Sequence, residues 1–421
     1  MTATEPPPAR GLRARARALL PEGRGARWLV GASFIDSLGT GLFIAGSALF
    51  FTKVLGLTIG EVGIGLTISG IAGLLGTPII GRLADRIGPK RGLVALYGWR
   101  GACFVLYPFA DTPVLFYAVA FLVGFAEWSS GPLTQSLVGT ISTGDRRVRT
   151  MAVIGSVRNA GFTGGALLAT GAVAAGDPRF YTFLVLADAL TFFAAAVMLA
   201  RLPLVAATPV GESAKTPATA AVAMVRDVRF LVLTGLNGIL YLHSILLTVG
   251  LPLWISTRTS TPLAVVGVVV VVNTVMVIVL QVPLSRGVEG LRPSARRQLW
   301  AGWLLGACCV LVAFTPNVSA TWAVVLVLAA VVAMTLGEIW QSIGAWGISY
   351  ALSPEHRRST YLSVYHLGLT GSSVVGPALI TFAVIDVGPV GWLGLGAAFV
   401  LTGFAVSLIS RPADEPAMAH N

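Results

Sequence analysis

The sequence predicts an all-α membrane protein of twelve transmembrane helices in two pseudo-symmetric six-helix bundles. Three observations carry that expectation. Of 421 residues, 11% are charged and 55% hydrophobic, and the mean hydropathy is +0.82; a soluble chain of this length could not build a polar surface from so few charges. Long apolar runs follow one another with short polar connections. The second half of the chain also repeats features of the first at an offset of about 210 positions, the mark of a duplicated unit.

Twelve runs can be marked, at 28–52, 62–82, 92–110, 113–138, 150–175, 179–201, 230–255, 262–284, 297–315, 320–348, 359–385 and 389–410. Each is long enough to cross a bilayer as a helix at 1.5 Å per residue. Their continuity, without strict alternation, excludes a β-barrel. Residues 1–27 are rich in Pro and Arg, with Arg10, Arg13, Arg15, Arg17, Arg24 and Arg27. No apolar core precedes Trp28, and the run that follows is too long for a signal peptide, so the segment reads as a basic cytoplasmic tail. Cys103, Cys308 and Cys309 all lie inside apolar runs, with neither disulfide nor metal-ligand spacing.

Orientation follows from the basic residues. With the N-terminus inside, 24 of the 29 Lys and Arg fall in cytoplasmic segments, three (Lys53, Arg179, Arg258) fall outside, and two (Arg100, Arg158) fall within runs. Such a bias predicts both termini inside. The same distribution explains the net charge of +11 without nucleic acid.

The longest internal connection, 202–229, divides the chain into bundles at 28–201 and 230–410, with a second cytoplasmic tail at 411–421. Glu127 and Glu338 are 211 positions apart in the fourth and tenth runs. The loops after them, Gly144-Asp145-Arg146-Arg147 and Pro354-Glu355-His356-Arg357, recur at a similar offset, as do Gly161 and Gly371.

Between the second and third runs lies Gly81-Arg82-Leu83-Ala84-Asp85-Arg86-Ile87-Gly88-Pro89-Lys90-Arg91. This stretch resembles the G-x-L-a-D-r-x-G-r-k signature of the major facilitator superfamily, departing from it at Pro89. Its counterpart around Ser285-Arg286-Gly287 and Arg296-Arg297 is degraded. The resemblance covers about residues 28–410 and implies two six-helix bundles that rock about a central site. It also implies a conformational latch built from Gly81, Asp85, Arg86 and Gly88, in which Asp85 faces positive groups or helix ends of the opposing half. Arg86 is expected to pair with Asp145, while Lys90 and Arg91 read as topogenic charge. In the fifth run Arg158-Asn159-Ala160-Gly161-Phe162-Thr163-Gly164-Gly165 loosely resembles the G-P-x-x-G-G element of drug–proton antiporters, without its proline.

Charges inside membrane spans are costly and therefore candidates for function. Asp36, Arg100, Glu127, Arg158, Asp188 and Glu338 qualify, with His243 and His366 as further ionisable groups. In the family resembled, the first, fourth, seventh and tenth spans line the cavity, which places Asp36, Glu127, His243 and Glu338 there. Asp36, Glu127 and Glu338 are expected to carry substrate binding or proton exchange. Arg100 and Asp188, on spans the family places at the periphery, read as a structural pair. Two roles stay open for Arg158: clamping Glu127 or Asp36, or meeting an anionic substrate. Trp340 and Gln341, beside Glu338, are candidates for stacking and hydrogen bonding.

No nucleotide loop and no His/Cys metal cluster is present in the sequence, so neither a cofactor nor a metal is expected. The expected function is secondary active transport. A multi-pass protein of the plasma or inner membrane, working as a monomer, would export a small lipophilic compound or metabolite in exchange for protons, with no nucleic-acid partner. Counting Asp36, Glu127 and Glu338 against Arg158 gives a cavity charge of −3 + 1 = −2 and favours cationic or zwitterionic substrates. A proton-coupled nutrient importer and a non-transporting receptor or lipid-handling scaffold are the alternatives.

Overall fold

The computed structural model describes residues 24–203, 227–288 and 290–410. Most of the 1–27 tail, most of the 202–229 linker and all of the 411–421 tail lie outside the described residues. A bilayer offers no water to backbone amides, so the apolar runs close their hydrogen bonds internally as helices. The described residues form fourteen α-helices: α1 (Arg24–Leu49), α2 (Ile59–Ile87), α3 (Pro89–Leu106), α4 (Pro113–Glu127), α5 (Ser130–Ile141), α6 (Asp145–Ala175), α7 (Pro178–Ala200), α8 (Val228–Ile245), α9 (Leu251–Arg258), α10 (Ala264–Leu284), α11 (Leu291–Ala313), α12 (Ala320–Leu352), α13 (Arg358–Thr381) and α14 (Pro389–Ile409).

Two of the apolar runs are each divided. The fourth breaks at Trp128–Ser129 between α4 and α5, where Pro132 has no N–H to return to the preceding turn. The seventh passes from α8 to α9 through a π turn at Leu246–Gly250. Ten helical stretches among the described residues are long and apolar enough to cross a membrane. α3 and α6 fall outside that set on composition. α3 carries Lys90, Arg91 and Arg100 within 18 residues, and α6 combines Arg158 with a charged first turn and many Gly, Ala and Thr.

The packing repeats between the halves. α1 packs on α6 as α8 packs on α13, and α3 packs on α7 as α11 packs on α14. The halves meet along two pairs, α2 with α13 and α6 with α10, again one the image of the other. Small residues let the backbones approach. A Cβ at Gly161 would stand 2.7 Å from the Phe34 carbonyl oxygen of α1, and one at Gly368 would stand 2.2 Å from the Thr234 carbonyl oxygen of α8. Gly371, which recurs with Gly161 in sequence, faces open space, and Gly368 one turn earlier makes the contact equivalent to that of Gly161.

Candidate functional site

The signature stretch builds one end of the interface between the halves. α2 runs through Gly81 directly against α13, where a Cβ would stand 2.3 Å from Ser363 Oγ. Gly88, at φ +90°, ends α2, and Pro89 opens α3 at a position that needs no N–H. This geometry brings Asp85 to the start of α13. Its Oδ1 accepts the Ser359 N–H at 2.8 Å, and its Oδ2 accepts the Thr360 N–H at 3.0 Å together with the Thr360 hydroxyl. A carboxylate here satisfies orphan amides and meets the positive end of the helix dipole.

The opposite half returns the gesture. Arg358 of α13 is buried and donates to the Gly139 carbonyl at 3.0 Å, at the negative end of α5. Around this crossing, the Ser136 and Ser359 hydroxyls lie 2.7 Å apart, Gln135 donates to Ser349 at 2.7 Å, and Tyr350 donates to the Gln135 carbonyl at 2.6 Å. Arg147 reaches Glu355 at 3.6 Å. The expected Arg86–Asp145 pair falls on Asp145, whose side chain lies outside the described residues. Lys90, read as topogenic charge, has a specific place: its Nζ donates to the carbonyls of Ala200 and Leu202 at the end of α7.

Within the N-terminal half, four charged side chains meet. Arg100 Nη1 lies 3.4 Å from Asp36 Oδ1, and Nη2 lies 2.8 Å from Glu127 Oε2. Its guanidinium stacks over Phe192 at 4.1 Å. Asp188 joins them within electrostatic reach, with Oδ1 accepting from Thr191 at 3.2 Å and Oδ2 unpartnered. Arg100 is therefore not paired simply with Asp188 at the periphery, as its span order implies. It bridges two of the carboxylates expected at the cavity. Asp36 and Arg100 are only 2% and 3% exposed, while the Glu127 side chain is 37% exposed. Of the three carboxylates, Glu127 alone lines the cavity.

That cavity, about 430 Å³, lies between the halves. α6 contributes Met151, Ile154, Gly155, Arg158 and Asn159, and α12 contributes Glu338, Gln341, Ser342, Ala345, Trp346 and Ser349. Both sets follow the spacing of a single helix face. Trp340, two residues from Glu338, points roughly 200° away from it. It meets Trp300 and Arg297 of α11 instead, so its expected contact with a substrate is corrected to packing inside the C-terminal half. Helical spacing alone would have shown this.

Glu338 has a different setting from Glu127. It accepts from Asn273 Nδ2 at 2.7 Å and has no cationic partner among the described residues. Arg158 makes no ion pair or hydrogen bond among the described residues, so it clamps neither Glu127 nor Asp36. Gln341 lines the cavity and donates to Asn237 at 2.8 Å. His243 lies beside it with Nε2 unpartnered, and His366 Nε2 is 3.3 Å from Gln135 Oε1. The described residues contain no cluster of His, Cys, Asp and Glu able to hold a metal ion.

A family model described as Major Facilitator Superfamily matches residues 29–377. The chain belongs to that superfamily. It is accordingly a multi-pass membrane protein with a transporter fold, which implies a small-molecule substrate. Solved superfamily structures align over most of its length. A bacterial homologue of the iron transporter ferroportin in an outward-facing state is 14% identical, covers 92% of this chain and 98% of that one, and superposes with a TM-score of 0.69. The human organic anion transporter MFSD10 (TETRAN) is 15% identical over 91% and 99% of the two chains, at 0.63. The proton:xylose symporter XylE is 14% identical over 92% and 94%, at 0.66. Identities this low establish the fold alone. Among curated proteins, the multidrug resistance protein MdtG of Yersinia enterocolitica is 29% identical over 102 residues, which span 24% of this chain and 25% of that protein.

The residues missed from sequence are those whose role depends on a partner. Ser359 and Thr360 receive the superfamily's signature aspartate through two backbone amides and a hydroxyl, and Arg358 beside them donates to the Gly139 carbonyl. A charged residue at the start of the eleventh run was the available signal for Arg358.

Proposed function

We propose that this chain is a proton-coupled exporter of a small molecule, working by alternating access in the plasma or inner membrane as a monomer. In this reading all twelve helical runs cross the bilayer, counting α3 and α6, whose charges turn inward. Both termini are cytoplasmic, and the bundles at 28–201 and 230–410 move as units about the slack 202–229 tether. The end sealed by Asp85 and Arg358 is then the cytoplasmic one, and the cavity opens outward. The hydrogen bonds that Asp85, Gln135 and Arg358 make between the two halves lie at that end or at mid-depth, as expected of a rocking bundle closed on one side.

The observation that carries the reading is Glu338. It is a carboxylate on the cavity face of α12, held by one amide and, among the described residues, by no cation. Such a group is completed either by a proton or by a positive group on a substrate, and the competition between them couples the two flows. Glu127 contributes a second site whose charge is shared with Arg100, and Asp36 acts on it through that same guanidinium. Export rather than import draws on the short likeness to a multidrug resistance protein. The driving force is an ion gradient rather than a cofactor.

The test is reconstitution into vesicles with a lumenal pH dye, followed by addition of candidate substrates. Substrate-driven proton movement is expected in the wild type and should vanish in Glu338→Gln. Wild-type coupling retained in Asp36→Asn, Glu127→Gln and Glu338→Gln alike would overturn the assignment.

A further inference from the structure

The geometry points to a substrate that is a zwitterion: its anionic group pairs with Arg158 and its cationic group with Glu338. The inference rests on the transporter reading above and specifies what the cavity holds.

The structure changes the charge count made from sequence. Asp36 is sealed away from the cavity, and Glu127 is held by Arg100 at 2.8 Å. Among the described residues, the charges that line the cavity without an ionic partner are Arg158 on α6 and Glu338 on α12, which sum to +1 − 1 = 0. They come from opposite halves and line the same cavity. Tyr241 of α8 lies within electrostatic reach of both. A purely cationic substrate would satisfy Glu338 and bring its charge close to an unpaired guanidinium. A purely anionic one would satisfy Arg158 and leave Glu338 desolvated. Either mismatch is the kind of unpaired buried charge that a binding site uses to reject a ligand.

A second observation is independent of these charges. Three polar side chains that line the cavity and are at most 5% exposed hold atoms with no partner: Asn237 Nδ2, His243 Nε2 and Gln281 Oε1. Buried polar atoms are rarely left unsatisfied unless a ligand or water completes them. Gln281 rests against Gly155, where a Cβ would stand 2.8 Å from its Oε1. Gly155 is three residues from Arg158 and on the same helix face, so the amide and the guanidinium address one region. Trp128, Tyr241, Trp346 and Tyr365 supply apolar area around them. The volume falls in the range of small-ligand pockets. Of the cationic and zwitterionic substrates that a cavity charge of −2 left open, an aromatic zwitterion of dipeptide to drug size fits this chemistry better.

Two scaffolds test the proposal, an aromatic dipeptide (phenylalanyl-phenylalanine) and an aryl-piperazine carboxylic acid. Each is used as the zwitterion, as the N-acetyl anion and as the methyl-ester cation, with binding to the purified protein in nanodiscs read by thermal stabilisation. The zwitterion of at least one scaffold should bind, with both singly charged forms at least tenfold weaker. Arg158→Met should lose the preference for zwitterion over ester, and Arg158→Lys should keep most of it. Glu338→Gln should lose the preference for zwitterion over N-acetyl anion. Equal binding of the ester to the wild type, a preference unchanged in Arg158→Met, or failure of both zwitterions to bind would each overturn the proposal. Proton movement in vesicles is scored separately. Coupled flux without charge discrimination would sink the substrate class alone, and zwitterion binding without flux would sink the transporter reading.

Discussion

Glu127 and Glu338 hold corresponding places in the two halves, yet the structure treats them differently. α4 ends at Glu127, and the chain breaks there before Pro132, so the glutamate sits at the negative end of a helix where a guanidinium is welcome. Arg100 occupies that place, balanced on its other side by Asp36, with Asp188 behind. Glu338 lies inside the unbroken 33-residue helix α12, with Ile343 where the N-terminal half has Pro132. Among the described residues it meets no helix end and no arginine, and its hydrogen-bond donor is Asn273. One half has tied its cavity carboxylate into a charged network, and the other has left its own without an ionic partner among the described residues. Duplication supplied two equivalent positions, and on the proposed reading their surroundings divide the work between them: charge-holding structure on one side and exchange on the other.

The largest expected effect breaks the network. Arg100→Met leaves three carboxylates around an empty place in a dry interior, and removing one partner of a buried ion pair costs about 3–5 kcal/mol. The variant should unfold at a markedly lower temperature in detergent, or fail to accumulate as monodisperse protein. Asn273→Ala, the nearest equivalent on the other side, removes two hydrogen bonds, to Glu338 and Thr335, and should cost about 2 kcal/mol. Equal stability of the two variants would abolish the distinction between the halves.

The next effect concerns function rather than stability. Glu338→Gln keeps an acceptor for Asn273, so the protein should fold normally while substrate-driven proton movement falls to background. Glu127→Gln should reduce coupling only in part and should lower stability more, because Arg100 keeps Asp36 and loses its closer partner. The pair is compared by unfolding temperature and lumenal pH response on the same preparations. The reverse order, with Glu127 decisive for coupling and Glu338 decisive for stability, would invert the assignment.

The candidate site was partly legible in the sequence. A charge inside an apolar run stands out whatever its partners, so Asp36, Glu127, Arg158 and Glu338 could be picked without coordinates. Whether such a charge is available depends on which neighbour reaches it, and that is set by helix rotation and by the length of an arginine side chain. Span order placed Arg100 at the periphery, while its guanidinium extends inward to two carboxylates. The signature stretch identified Asp85, but its partners are backbone N–H groups, which every residue except proline carries. Helical spacing, by contrast, was there to be used. Glu338, Gln341 and Ser342 share a face that Trp340 does not, and attention to adjacency in place of periodicity misplaced it. The fold was more legible than the site because hydropathy and charge bias act along the whole chain, while a site depends on a few contacts across it.

A third prediction tests whether the halves separate at all. The Ser136 and Ser359 hydroxyls lie 2.7 Å apart across the interface, so cysteines at both positions are placed to form a disulfide with little backbone movement. The native cysteines are buried and should not compete. Under oxidation, Ser136→Cys/Ser359→Cys should stop transport, and reductant should restore it. Full transport with the bond closed would mean that the sealed end never opens, and the proposed two-body motion would be wrong.

The smallest expected effect is at Asp85, and it bears on the interface the halves share rather than on either alone. The two contact lines are unequal. Along α2 and α13 the closure is electrostatic, with Asp85 on a helix start; along α6 and α10, Val148 and Val277 belong to a buried apolar cluster with Val288, Ile339 and Ile343. Asp85→Asn keeps the size of the side chain and a carbonyl acceptor while removing the charge. The loss at a helix N-terminus is about 1 kcal/mol, roughly fivefold in the equilibrium between closed and open at this end. Substrate affinity should change little, because no cavity-lining group touches Asp85, while the rate of the cycle should fall as the closed state becomes less populated. Distance measurements between spin labels on α2 and α13, taken with initial rates and binding on the same variant, separate these effects. A variant that binds poorly yet cycles at normal speed when saturated would show that Asp85 serves the site and not the closure.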